Sequence, residues 1–424
     1  MRLRGVEMEN FLYVFSMILQ IAMLIFGGYY TVISLVGCLF KKEPKCKNET
    51  NITHKFAMVV SAHDEEVVIG NLVDSLQSLN YPKDSYEVFV IADNCSDSTA
   101  DISRQHGATV YERTDDVKKG KGYALDWMFE KIFAMDKHFD AICVFDADNL
   151  VHPEFLNQMN RQFNRGYKAV QGYIDTKNPY DSWISMSYAI SFWSINRTFQ
   201  YARYALGMCC QLCGTGFAVA TDIIKDIGWG ATCLAEDMEF TMKLTMNNYK
   251  VGWAHDAIVY DEKPLTFSQS YKQRVRWMQG HADVLSRFFA KLIKKGVKER
   301  KLIPIDCACY LFQPIRLVAL FYITVMGILQ TFFPDGNLGF FQMTYLFSTP
   351  LIWNTIVLCQ LLFTPTVLFF EKKLNWKVIK GYIPYYFYTF TWFPISVVGI
   401  LKKNNKEWFH TQHTRTISLT DIEK

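Results

Sequence analysis

Residues 141–150 read Ala-Ile-Cys-Val-Phe-Asp-Ala-Asp-Asn-Leu (AICVFDADNL). An apolar run of the length of a buried strand is followed at once by Asp146 and Asp148, where a strand ends and a turn begins. The same order occurs twice upstream. KFAMVVSAHDEE (55–66) is a short β-rich run ending in polar residues, with helical spacing of Val, Ile and Leu over 67–79. YEVFVIADNCSDS (86–98) is a buried run, a turn carrying Asp93 and Asn94, then a helix. Strands alternating with helices predict an α/β domain whose parallel sheet is covered on both faces, and such sheets bind ligands beyond the carboxyl ends of their strands. All three acidic turns fall at those ends. Asp and Asn make good turns anywhere, which explains any one of these turns well and three on one edge poorly.

The spacing of Asp146 and Asp148 suits a hard divalent cation, Mg²⁺ or Mn²⁺, which takes oxygen ligands and bridges one or two carboxylates to substrate phosphates. A nucleoside diphosphate fits that chemistry. The sequence has no G-x-x-x-x-G-K-[ST] loop and no G-x-G-x-x-G after the first strand, which argues against a P-loop nucleotidase and a dinucleotide enzyme. KKGKGYAL (118–125) sets Lys118, Lys119 and Lys121 among glycines, as a phosphate contact or a solvated loop. LCGTGFAVATDII (212–224) has small residues that let a substrate approach the backbone. ATCLAEDMEFTMKL (231–244) places Glu236 and Asp237 before a helical run, as a general base beside a phosphate site or as acids that cap the helix. In SYKQRVRWMQGH (270–281), Gln273, Arg276 and Trp277 fall at i, i+3 and i+4 on one helix face. An amide, a guanidinium and a flat ring make a coherent surface for a nucleotide sugar, and the same helix also reads as amphipathic against a membrane.

Composition sets the surroundings. Half of the 424 residues are apolar and only 20% are charged, below the ~25% of ordinary soluble domains, so a fully soluble enzyme is disfavoured. The 45 basic residues against 41 acidic ones leave +4, too balanced to indicate nucleic-acid binding. Eleven scattered cysteines fit free thiols in a reducing compartment. Residues 11–40 are almost uninterrupted apolar sequence, longer than the ~20 residues a spanning helix needs, and residues 310–333 and 345–370 also read as spans joined by the uncharged-to-acidic loop PDGNLG (334–339). Residues 382–401 contain Pro384 and Pro394 with lysines on both flanks, the pattern of a broken or interfacial segment. The expected organisation is an N-terminal transmembrane helix (1–40), a cytoplasmic domain with the amphipathic QRVRW helix (41–301), transmembrane and interfacial helices (302–401) and a cytoplasmic tail (402–424). The basic stretches at 41–47 and 291–301 put the domain on the cytoplasmic face, with the plasma membrane as its expected location.

Other residues carry weaker signals. Cys209, Cys210 and Cys213 have C-x-x-C spacing without a second pair at finger spacing, so packing is favoured over zinc. His255 reads as a satisfied strand histidine. Asn48 and Asn51 begin glycosylation triplets that a cytoplasmic position makes irrelevant. Trp183, Trp193, Trp229 and Trp253 fit sugar stacking, core packing or a membrane interface equally.

Taken in order, Asp93 in ADNCSD, Asp146 and Asp148 in DAD, Glu236 and Asp237 in ED, and Gln273, Arg276 and Trp277 in QRVRW resemble the signature of the processive, membrane-embedded glycosyltransferases of family 2, the group of cellulose, chitin, hyaluronan and poly-N-acetylglucosamine synthases. The resemblance covers residues 55–285 and the flanking apolar segments. It implies a GT-A-type, Rossmann-like fold, a UDP-sugar donor, Mg²⁺ or Mn²⁺ and inversion at the anomeric carbon. It also implies that Asp93 holds uridine, that Asp146 and Asp148 serve diphosphate and metal, and that Asp237 deprotonates the acceptor. Gln273, Arg276 and Trp277 would border the acceptor sugar and the diphosphate, with Lys121 and Glu236 as further substrate contacts. Relatives often have a second acid where Asn94 follows Asp93. The tail EWFHTQHTR resembles a gating element with Trp408, Thr414 and Arg415 as matching positions, at a different spacing. Three functions follow: a synthase extending a β-linked polysaccharide through its own membrane segments, a transferase placing one sugar on a lipid, or a transporter or scaffold that has lost activity. Retention of all the acids disfavours the last, and QRVRW with several C-terminal spans favours the first. Membrane lipids are the other expected partner; the sequence names no protein partner.

Overall fold

The apolar runs quoted above become the middle of one sheet. A computed structural model describes residues 2–39, 51–230, 233–332, 350–405, 413 and 415–422. Its strands are β1 (Phe56–Ala62), β2 (Tyr86–Asp93), β3 (Thr109–Arg113), β4 (Ala141–Asp146), β5 (Leu150–Val151), β6 (Ala169–Thr176), β7 (Phe217–Ala220) and β8 (Val251–Asp261), in the spatial order β3-β2-β1-β4-β7-β6-β8-β5. β1 to β4 pair in parallel, as the alternating pattern predicts. Register aligns Ser61 with Asp146, Ala62 with Ala92 and Asp93 with Arg113, so the three acidic turns do share one edge.

The sheet is mixed rather than parallel throughout. β7 runs antiparallel to both β4 and β6. Its sequence, FAVA, is too short for an apolar run to reveal direction, and an antiparallel strand needs no helical crossover. The consequence is positional: Phe217, at the start of β7, pairs with Val144 near the end of β4, which lays the LCGTG loop against the DAD turn. All eight residues of β6 are buried, the mark of a strand covered on both faces.

The helices that matter for the site are α1 (Arg2–Leu39), α2 (Lys121–Phe133), α3 (Trp183–Ile195), α4 (Glu236–Met246), α5 (Phe267–Glu299), α6 (Leu302–Leu311), α7 (Gln313–Phe332), α8 (Pro350–Phe370) and α9 (Trp376–Leu401). α5, which carries QRVRW, starts with a capping box in which Thr266 Oγ1 accepts from Gln269 N at 3.3 Å and Gln269 Oε1 accepts from Thr266 N at 3.2 Å. Met17–Leu39 is long and apolar enough to cross a membrane; Leu302–Leu311 and Gln313–Val325 qualify only together and are bent by 56°. The stretch expected as a span over 310–333 thus continues an apolar helix that starts earlier, at Leu302, with a bend between the two, and the PDGNLG loop lies outside the described residues. α9 runs unbroken through Pro384 and Pro394 rather than breaking there. It packs along α5 so closely that a side chain at Gly399 would collide with Met278.

α1 is tied to the domain by charge. Arg203 donates to Asp306 from Nε and Nη2, both at 2.9 Å, while Tyr29 of α1 donates to the same carboxylate at 2.5 Å. Arg203 and Asp306 are both buried, and a buried pair of this kind fixes geometry because loss of one partner strands the other. Three of the four tryptophans left open above are core residues: Trp229 and Trp253 are fully enclosed, and Trp193 donates its indole N–H to Asp175 at 2.6 Å, whereas Trp183 is exposed. Cys209 and Cys210 are buried free thiols, and His255 packs edge-on against Tyr173 and Tyr201.

Candidate active site

The edge beyond β2 presents Asp93, nearly enclosed, with Arg113 Nη1 donating to its Oδ1 at 2.5 Å. Burial raises this carboxyl above its usual range, with Arg113 opposing the rise. Arg113 also donates to Asp115 at 3.0 Å and to the Lys118 carbonyl at 2.7 Å, folding the KKGKG loop back toward the edge. Lys118 and Lys119 stay outside the site, Lys119 paired with Asp116, while Lys121 alone turns inward.

Lys121 donates to Asp146 and, at 2.7 Å, to the Gly214 carbonyl of the LCGTG loop. Burial alone would lower this ammonium, but Asp146 and then Glu236 outweigh it and hold the pKa above the ordinary lysine value. Asp148 is 5% exposed and fully engaged: Glu262 N donates to Oδ2 at 2.8 Å, Asn149 Nδ2 to Oδ1 at 3.2 Å, and Lys177 Nζ to its carbonyl at 2.8 Å. Burial pushes this carboxyl up, yet His413, Lys177 and the Glu262 N–H together bring it below the usual carboxylate range, so it is ionised at neutral pH.

His413 is the largest surprise. It reaches the site from the far end of the chain, its Nδ1 2.9 and 3.0 Å from the oxygens of buried Glu65 and its Nε2 4.0 Å from Asp148 Oδ2. Burial pulls its pKa down, but Asp148 and Glu65 lift it to about 9, so the ring is an imidazolium at neutral pH. The next described residue, Arg415, accepts from Lys177 Nζ at 3.4 Å through its carbonyl, donates from N to Glu262 at 3.1 Å and pairs with Asp181 at 3.0 Å. Of the three tail positions singled out from sequence, Arg415 thus lies beside the DAD turn; Trp408 and Thr414 lie outside the described residues.

Glu236 and Asp237 open α4, where Asp237 Oδ1 accepts from Met238 N at 2.7 Å. Burial raises both carboxyls; for Asp237 the neighbouring Glu236 adds to it and the value reaches about 7. Arg276 on α5 is lowered by burial and pulled back by Glu236 and Asp146, which places its charge in the same electrostatic field. Gln273 Oε1 is buried without a hydrogen-bond partner among the described residues, an acceptor free for a ligand hydroxyl. Trp277 sits in an aromatic cluster, stacked on Trp392 of α9 at 6.4 Å and edge-on to Tyr188 and Phe192 of α3.

Only one tight trio of metal-ligand atoms occurs among the described residues, at Asp64, Cys95 and Asp97, and its carboxylates already accept the N–H groups of Ser96 at 2.7 Å and Thr99 at 3.0 Å. Asp146 and Asp148 are not a closed cage. Two carboxylates at a strand end, with Asp146 42% exposed, are nevertheless the hard oxygen donors that a cation shared with a diphosphate takes, and the donor set fits Mg²⁺ or Mn²⁺.

This sheet order with acids at the ends of its parallel strands is a GT-A glycosyltransferase fold. Residues 54–280, more than half of the chain, match the family Glycosyltransferase like family 2, and the chain belongs to it. It is similar to the probable glycosyltransferase YdaM of Bacillus subtilis, 26% identical over 87% of this chain and 89% of that one. It is similar over 87% of its length, and 88% of the other chain, to the poly-beta-1,6-N-acetyl-D-glucosamine synthase of Staphylococcus epidermidis, at 23% identity. The mannosyltransferase PcManGT of Pyrobaculum calidifontis, solved with GDP-Man and Mn²⁺, shares the fold with a TM-score of 0.62 and 17% identity over 93% of this chain and 99% of that one. The protein is therefore a hexosyltransferase enzyme.

Proposed function

We propose that this enzyme transfers a sugar with inversion from a UDP-sugar to the end of a β-linked polysaccharide and passes the product through its own apolar helices. The observation that carries the reading is Asp237: a half-buried carboxyl raised to about 7 by desolvation and by Glu236, beside Lys121, Asp146 and Arg276, suits a general base.

In this mechanism Asp93, seated on Arg113, holds uridine, and Lys121, Glu236 and Arg276 orient the sugar diphosphate. Asp146 and Asp148 would hold Mg²⁺ or Mn²⁺, which would supply positive charge where the leaving diphosphate gains negative charge. Gln273 receives an acceptor hydroxyl and Trp277 borders the acceptor sugar. Asp237 takes the proton of the attacking hydroxyl as its oxygen bonds to the anomeric carbon and the bond to the diphosphate breaks. A single displacement needs one base and no covalent nucleophile. Incubating membranes that contain the enzyme with a panel of UDP-sugars and Mn²⁺, then sizing the product, tests the reading. Polymer is expected. A glycolipid bearing one sugar would favour the second reading, to which the beta-monoglucosyldiacylglycerol synthase of Synechocystis, 28% identical over 53% of this chain, lends support.

The domain boundaries drawn from the sequence belong to the same proposal: α1 crosses the membrane, α6 with α7 crosses back, α8 returns, and α9 lies in the cytoplasmic interface. α9 exposes Ile379, Ile383, Phe387 and Phe390 along one face and buries Tyr388 and Ile395 on the other, the pattern of an interfacial helix. The tail that follows it meets Glu65 and Asp148, so domain and tail share a compartment, the cytoplasm in this reading. An impermeant thiol reagent applied to intact cells should leave a cysteine at Asn404 unlabelled and react with one at Asn337. Labelling at Asn404 would mean that α9 crosses.

A further inference from the structure

Gln171 is a fully buried polar side chain in the middle of β6, and no step above uses it. Its amide is spent on one object. Oε1 accepts from Cys213 N at 2.9 Å, and Nε2 donates to the Thr215 carbonyl at 2.9 Å, so the two ends of one amide bracket Gly214. Nε2 also lies 3.0 Å from the Gly172 carbonyl and 3.3 Å from that of Gly216. The backbone repeats the attachment: Gly172 N donates to the Gly216 carbonyl at 2.8 Å, and Gly216 N to Val144 of β4 at 2.9 Å.

What is bracketed is the joint between the two halves of the site. The Gly214 carbonyl receives Lys121, whose other partner is Asp146. Gly214 has a φ of +80°, and a Cβ added there would lie 3.7 Å from Asp237 Oδ2, so its bare Cα faces the carboxyl. Thr215 Oγ1 accepts from Asp146 N at 3.1 Å and donates to Asn149 Oδ1. One loop of four residues therefore touches the DAD turn, the lysine that binds it and the acid at the start of α4. Thr215 ties the loop to the DAD turn, but Gly214 and Gly216 have no side chains to fix the backbone on either side of it, and a buried amide with a donor and an acceptor the right distance apart supplies that fixity.

We propose that Gln171 is a positioning residue for transfer: through Gly214 and Thr215 it sets the placement of the acceptor base Asp237 relative to the donor-side Asp146. The proposal rests on the reading of Asp237 as the base. Its signature follows from chemistry. Glu at this position keeps the size and the acceptor but puts a carboxylate oxygen against the Thr215 carbonyl, so the loop must shift, and a displacement of about 1 Å costs on the order of a hundredfold in rate. The loop also meets Lys121 and Asp146 on the diphosphate side, but it makes no direct contact with Asp93 at the uridine or with Asp148 at the cation, so UDP affinity should change far less than turnover.

The test compares Gln171→Glu, Asp237→Asn and the double variant in the full-length enzyme, reading turnover by UDP release and UDP affinity by calorimetry in Mn²⁺. Expected are a loss of turnover of roughly a hundredfold in Gln171→Glu, UDP affinity within about threefold of the parent, and little further loss when Gln171→Glu is added to Asp237→Asn, since residues that act as a unit are not additive. Gly214→Ala strains the same loop without touching the amide and should give the same split, which carries the test if Gln171→Glu does not fold. Parental turnover in both loop variants, UDP affinity lost in step with turnover, or full additivity with an impaired Asp237→Asn would overturn the role of Gln171. Full turnover in Asp237→Asn alone is a different failure: it removes the base, and the positioning role with it.

Discussion

Replacing Asp237 with Asn should lower turnover by about 10²- to 10⁴-fold, the usual contribution of a general base, while UDP affinity in Mn²⁺ stays close to that of the parent. Asn keeps the shape of the side chain and can still accept from Met238 N through its oxygen, so α4 should start as it does now. What is lost is the capacity to take a proton. The pH dependence sharpens the expectation. The Asp237 carboxyl is raised to about 7 by burial and by Glu236, so the base is in its active, ionised form above that pH and is progressively protonated below it. Turnover of the parent should therefore rise through an acid limb near pH 7 and flatten above it, falling roughly tenfold per unit on the acid side. The residual activity of Asp237→Asn should lack that limb. A variant that keeps parental turnover, or one that loses turnover only because UDP no longer binds, would make Asp237 a structural or nucleotide-binding acid.

The acids of this site were legible because each stands at a break in periodicity. Asp146 follows five apolar residues, and Asp93 follows another such run, so chain order alone placed them at strand ends. Glu236 and Asp237 were readable as the start of a helix, but not as two acids close enough to Lys121 and Asp146 to share one partly desolvated site, and that is what separates a raised carboxyl from a capping acid. The partners that complete the site were hidden by distance along the chain. His413 meets Glu65 across 348 residues and Arg113 meets Asp93 across 20, and no local pattern records either contact. For Gln171 there was a signal: AVQGYIDT is a strand in which a polar residue sits among apolar ones, which implies a bound partner even when the partner cannot be named.

The direction of β7 and the continuity of α9 were not legible for a related reason. β7 gave no clue to its sense because four residues satisfy either pairing, yet its reversal is what carries the LCGTG loop to the DAD turn. Pro384 and Pro394 suggested a break in α9, but packing against α5 and α3 holds the helix through both. Trp277 shows the same limit on the aromatic side. Its ring contacts Trp392, Tyr188 and Phe192, residues from two other helices, so the acceptor role proposed for it depends on a packed cluster that QRVRW alone does not contain.

Asp148→Asn should produce the other large effect, and of a different kind. The carboxylate is surrounded by His413, Lys177 and the Glu262 N–H, which overcome the cost of burial and keep it ionised. Asn would still fill the space and still accept from Glu262 N, but the negative charge that a hard cation needs would be gone, with Asp146 left to share its charge with Lys121. Charge stabilisation of a leaving diphosphate by a cation is worth several kcal/mol, so turnover should fall by roughly a thousandfold. Here, unlike in Asp237→Asn, the loss should appear in binding: the gain in UDP affinity on adding Mn²⁺ should shrink or vanish, while UDP affinity in excess EDTA should match the parent. The pair of variants then divides the site, Asp148 acting through donor and cation, Asp237 through the acceptor proton. Parental turnover in Asp148→Asn, or parental turnover in excess EDTA, would show that the DAD turn does not work through a cation and that Lys121 and Arg276 carry the leaving group alone.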